Sequence, residues 1–109
     1  MPTARLIYAD SERCADMRYA TGMFVPDPFI WAAIGRTKIM IVSPLEIGRA
    51  SLEAPRGTKV IAIDAARREF NARDASPSGL IAALTRSFKI RSWEVPGSFP
   101  VGLAQALGK

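Results

Sequence analysis

The chain has 109 residues and no histidine, so it lacks the commonest general base and the commonest transition-metal ligand. Ser-His and Cys-His nucleophile pairs are therefore ruled out. Cys14 is the only cysteine, which excludes an intrachain disulfide and a thiolate zinc cage, and without an imidazole partner it reads as a small core residue. Asp10 and Asp64 each close a short apolar run. Two carboxylates at neighbouring strand ends could bind magnesium for phosphoryl transfer, although aspartate also caps the turns that follow strands in any α/β protein. The glycines are scattered singly, and neither G-x-x-x-x-G-K-[ST] nor G-x-G-x-x-G spacing occurs, so no phosphate cradle is expected.

A net charge of +5 and a pI near 10.0 raise the question of an acidic or nucleic-acid partner. The cations are spread from Arg5 to Lys109, and Arg67, Arg68 and Arg73 make only a loose cluster. Nucleic acid is therefore not the expected partner. Tyr19 beside Arg18, and Trp93 near Arg91, have the aromatic-plus-basic character of a stacking platform, which core or edge packing explains more simply. Phe24, Phe29 and Trp31 flank Pro26-Asp27-Pro28, a stiff aromatic segment that suits either a connector or a contact surface.

The elements that must position these residues follow from apolar spacing. Residues 6–9 read as a buried strand ending in a polar turn, and residues 29–34 and 39–42 as two antiparallel strands joined through Gly35-Arg36-Thr37-Lys38. Ser43-Pro44-Leu45-Glu46 has the composition of a capping box, predicting a helix to about Glu53. The unbroken run at residues 60–63 predicts a central strand covered on both faces, and residues 65–74 a helix. Ser76-Pro77 repeats the cap signal, and Leu80, Ile81, Leu84 and Phe88 then share one helical face. Trp93 and Val95 suggest a short strand, and residues 103–107 a last helix. The fold class expected is α/β: a single domain with a mixed β-sheet flanked by helices. With hydrophobic residues at 49% the chain can bury a core, yet no run is long enough to span a membrane, so a cytoplasmic protein without a signal peptide is expected.

Asp16-Met17-Arg18-Tyr19-Ala20-Thr21-Gly22-Met23-Phe24 resembles the Asn-Ile-Arg-Tyr-Leu-Thr-Gly-Phe element in the N-terminal domains of the creatinase, prolidase and aminopeptidase P family. The hairpin, the Ser43-Pro44 helix start, the strand near Val60 and the helix after Ser76 follow in that family's order. The resemblance implies a ribonuclease-H-like layout in a domain that precedes a pita-bread catalytic domain. It further implies that the catalytic domain, which these residues do not contain, holds two divalent metal ions such as Mn or Co through two aspartates, one histidine and two glutamates. This chain would then hold no cofactor and no catalytic residue, and would be a piece of a longer Xaa-Pro metallopeptidase. Its partners would be that catalytic domain, further copies in a homo-oligomer, and a peptide substrate whose cleft it helps to shape. Arg18, Tyr19, Phe24, Phe29 and Trp31 are the cleft or interface residues this reading selects, with Arg18 able to meet a peptide carboxylate. Two alternatives stand beside it: a basic ribonuclease-H-like nucleic-acid binder or nuclease using Asp10 and Asp64, and a free-standing interaction module.

Overall fold

A computed structural model of the chain describes residues 3–9 and 29–95. Runs of branched and aromatic residues form the first three strands, β1 being Thr3–Ala9, β2 Phe29–Ile34 and β3 Thr37–Val42, with β2 and β3 antiparallel. Gly35 and Arg36 alone make the turn, since Ile34 already pairs with Thr37. Gly35 has φ +60°, the positive value a tight hairpin requires at its first turn position. Every residue of β2 is buried, so no alternation marks its two faces.

β1 lies antiparallel to β2, pairing Leu6 with Ala32. β4 (Thr58–Ala62) runs parallel to β3, and β5 (Ser92–Glu94) parallel to β1. The sheet order is β4-β3-β2-β1-β5, so β2 alone opposes the other four strands. The strand expected at residues 60–63 is thus an edge strand of the described sheet, and it is shifted. Its last predicted residue, Ile63, opens helix α2 (Ile63–Glu69) directly, with Ala62 as N-cap. Four apolar residues are too few for a period of two to be told from a period of 3.6, which is why the boundary moved.

Helix α1 (Ile47–Glu53) also starts later than its composition suggests. Residues 44–46 form a turn in which Glu46 N donates to Ser43 O at 3.0 Å, and no side chain caps the helix. Ser43 Oγ is buried without a partner among the described residues. Glu46 approaches Arg49 instead, at 3.6 Å, so the capping box does not form.

The Ser76-Pro77 signal holds. α3 (Pro77–Ser87) begins with Ser76 Oγ accepting from Gly79 N at 3.1 Å, and Asp74 Oδ1 accepts from Ser76 N at 3.0 Å and from the Ser76 hydroxyl. These two bonds, the hydroxyl's first, hold the Asp74 carboxyl below its ordinary range, with Arg73 and Arg67 adding to them against a small opposing desolvation. A depressed folded pKa means that this contribution is complete above the ordinary carboxylate value and is lost as acid protonates the native carboxylate. Gly79 permits the arrangement: a Cβ there would lie 2.3 Å from Asp74 Oδ1 and 3.0 Å from Asp74 O. Gly79→Ala is therefore expected to destabilise the domain by about 1–2 kcal/mol, although alanine is the better helix former. Urea melts would show it, and adding Asp74→Ala should recover part of the loss.

α2 and α3 end alike. Ala72 N donates to Arg67 O and Asn71 N to Arg68 O, while Ile90 N and Lys89 N make the same pair of bonds to Thr85 O and Arg86 O. Asn71 and Lys89 take φ of 56° and 53°, as the residue after such a helix end must. The following Ala72 and Ile90 are buried and close each helix end onto the core. Leu6, Ile30, Ile41 and Ile61 face Leu80, Ile81 and Leu84 of α3 on one side of the sheet, with the Phe70 and Phe88 rings 6.1 Å apart. On the other side Ile7, Trp31, Met40 and Val42 pack with Ala50 of α1. Among the described residues no helix is long and apolar enough to cross a membrane.

Candidate functional site: an apolar cleft at the strand ends

The C-terminal ends of β1, β3 and β4 and the start of β2 meet at one edge of the sheet, where α2 and α3 also begin. In α/β sheets that edge is where clefts form, because the chain leaves each strand there for a helix. A cleft of about 130 Å³ opens at this place. Tyr8, Phe29, Ile41 and Ile63 line its strand side, and Pro77 and Leu80 its helix side. The wall is apolar, so the cleft can hold a small hydrocarbon or ring surface, and these lining groups include no base to activate water.

The residues selected from sequence are only partly brought to this cleft. Phe29 lines it and is 3% exposed, at the first position of β2. Trp31 lies two residues on, 4% exposed in the core of the α1 side, with the Arg5 guanidinium 5.8 Å from the centre of its ring. Arg18, Tyr19 and Phe24 lie outside the described residues, as do Asp10 and Cys14. Asp64 is exposed in the first turn of α2, where a carboxylate suits the positive end of the helix. Among the described residues no group of three or more His, Cys, Asp or Glu side chains could hold a metal ion. The described side chains therefore do not form a two-metal centre. Trp93 is not a stacking platform, because its indole N–H donates to Thr85 Oγ1 at 3.0 Å and ties β5 to α3. Thr85 in turn donates to Ile81 O at 2.8 Å.

Tyr8, Ile63 and Pro77 were not singled out from sequence as cleft residues. The only local signal was that Tyr8 and Ile63 sit at the ends of apolar runs, where a strand gives way to a turn or helix.

This mixed α/β architecture, five strands flanked by helices, is one found within solved peptidase structures. The X-Pro aminopeptidase from Thermotoga maritima MSB8 matches 95% of this chain with a TM-score of 0.64 and 13% sequence identity, over 28% of its own length. The prolidase from Pyrococcus horikoshii OT3 matches 86% of the chain with a TM-score of 0.53 and 16% identity, also over 28% of its length. A proline dipeptidase structure from Streptococcus pneumoniae TIGR4 matches 84% of the chain over 78% of its own length, with a TM-score of 0.50 and 12% identity. At these identities the likeness is one of fold. The chain spans little more than a quarter of the first two structures. No protein-family model and no curated protein sequence matches the chain.

Proposed function

We propose that this chain is the N-terminal, non-catalytic domain of an X-Pro metallopeptidase, supporting assembly of the enzyme and forming part of the wall of its substrate cleft. One observation carries the reading: the fold matches 95% of this chain but only 28% of an X-Pro aminopeptidase, the relation expected of one domain to a larger enzyme. The complete lack of histidine supports it, since the metal-bound hydroxide that hydrolyses the bond before proline would be generated in the other domain. The partners in this reading are the catalytic domain, further copies of the same protein and a peptide, in the cytoplasm. The apolar cleft, together with Arg18, Tyr19 and Phe24, is the surface offered to them. Phe29 and Trp31 would act mainly by holding the sheet, because both are buried within this chain.

The purified 109-residue chain, supplied with Mn²⁺ or Co²⁺, is expected to release no proline from Xaa-Pro dipeptides above the metal-only blank. Turnover that survives repurification would sink the proposal. Reading the gene past the codon for Lys109 gives the complementary test. A frame encoding two aspartates, a histidine and two glutamates in pita-bread order is expected, and an immediate stop codon would favour a free-standing module.

A further inference from the structure

The cations that are scattered along the sequence are gathered by the topology at the end of the sheet opposite the cleft. Four strands start at that end, so the residues just before them, and those in the β2–β3 turn, all lie there. Arg36 occupies the turn, Arg56 precedes β4, and Arg91 precedes β5. The helices bring the rest. The Lys59–Glu69 ion pair sets the last turn of α2 level with the start of β4, which puts Arg67 and Arg68 at the same end. The Arg86 guanidinium donates to Asn71 O at 3.1 Å, so α3 ends beside α2, and Lys89 follows it.

These seven side chains are close to half of the chain's 15 lysines and arginines, and all are exposed. None of them forms an ion pair with a described carboxylate. Of the carboxylates towards this end, Glu69 is engaged by Lys59 and Glu53 by Arg49 at 3.9 Å, while Glu94 is exposed on β5, level with Lys38 and the start of β4. Helix dipoles account locally for Arg67, Arg68 and Arg86, but Arg36, Arg56 and Arg91 lie outside helices.

We infer that this end, built around Arg36, Arg56, Arg68, Arg86, Lys89 and Arg91, is a docking surface for the phosphate backbone of duplex nucleic acid. A predominantly cationic end, with seven exposed lysines and arginines, supplies the charge neutralisation and counterion release that drive such binding, without base recognition. An acidic protein surface is the weaker fit, because protein interfaces centre on apolar anchors. Of the exposed large apolar residues among those described, Leu45 and Val95 lie towards other parts of the domain, and Leu52 stands near the rim. Single strands fit less well too, since they need exposed aromatic platforms, and Phe70, Phe88 and Trp93 are buried or half-buried. The inference is independent of the peptidase reading, which concerns the other end of the sheet.

The test is fluorescence anisotropy of a labelled duplex of arbitrary sequence titrated with the full chain. Binding is expected at micromolar to about 100 µM protein at low salt. Affinity should fall by about 100-fold between about 50 and 200 mM salt if about four phosphates are neutralised. Arg68→Ser, Lys89→Gly and Arg91→Ser together should weaken binding at least about tenfold and flatten the salt slope by two to three, about one for each cation. Glycine suits the positive φ at position 89, so the fold should persist, and Arg36→Ser with Arg56→Ser gives a second variant away from the helix ends. Arg73→Ser, in the connection before α3, should bind as the parent does. Absence of saturable binding at low salt, parental affinity in both surface variants, or displacement of the labelled duplex more readily by polyglutamate than by unlabelled duplex at equal charge would each overturn the inference.

Discussion

Leu84→Ala is expected to cost about 2–5 kcal/mol of folding stability. Leu84 has no exposed surface and sits in the row of α3 that meets the sheet, beside Leu80 and Ile81. Truncation removes its transfer free energy and leaves a cavity that neighbours anchored on a five-stranded sheet cannot close. Domains of this size are held by about 5–15 kcal/mol, so the change consumes a large part of the margin. Each lost kcal/mol lowers the melting temperature of a small domain by about 4–8 °C, so a fall beyond about 10 °C is expected, with a lower urea midpoint at unchanged slope. A loss below about 1 kcal/mol would mean that α3 does not rest on the sheet as described.

Ile41→Asp should be more severe, above about 4 kcal/mol at neutral pH. Ile41 is 1% exposed on β3, bridging Ile30 of β2 and Ile61 of β4, and the buried residues of the cluster around it are all apolar, with no cation among them to meet a carboxylate. Burial raises the pKa of such an acid. The sign follows: a raised folded pKa means the charged form is disfavoured, so the damage is greatest above that value and eases as acid neutralises the group. Ile41→Val, which keeps the branch, should cost only about 0.5–1.5 kcal/mol. Nuclear magnetic resonance spectra of the three proteins at neutral pH would decide it, with dispersed signals expected for the parent and Ile41→Val and collapsed dispersion for Ile41→Asp. A folded Ile41→Asp protein at neutral pH would place residue 41 outside the core.

Proline and glycine punctuation made several elements legible. Gly35 marked the hairpin turn, and Ser76-Pro77 marked the start of α3 with its buried face, because both signals act within a few residues of the chain. The identical reasoning failed at Ser43-Pro44, where the composition of a cap is present but residues 44–46 turn before the helix begins. It failed again at residues 60–63, where an all-apolar run gave no sign that its last member starts a helix or that its strand lies at an edge. Tertiary placement decides such cases, since intrinsic preferences differ by less than packing does.

For the candidate sites the division is sharper. The absence of histidine and the lone cysteine exclude most hydrolase triads and a thiolate zinc cage from these residues whatever their arrangement, because chemistry needs the functional group itself. The resemblance at residues 16–24 and the α/β class were likewise available from sequence. The cleft was not, because its walls come from five elements whose contact depends on the sheet order. Nor was the cationic end. Arg36, Arg56, Arg68 and the Lys89–Arg91 stretch are far apart along the chain, and they converge because four strands start, and helices α2 and α3 finish, at one edge of the sheet.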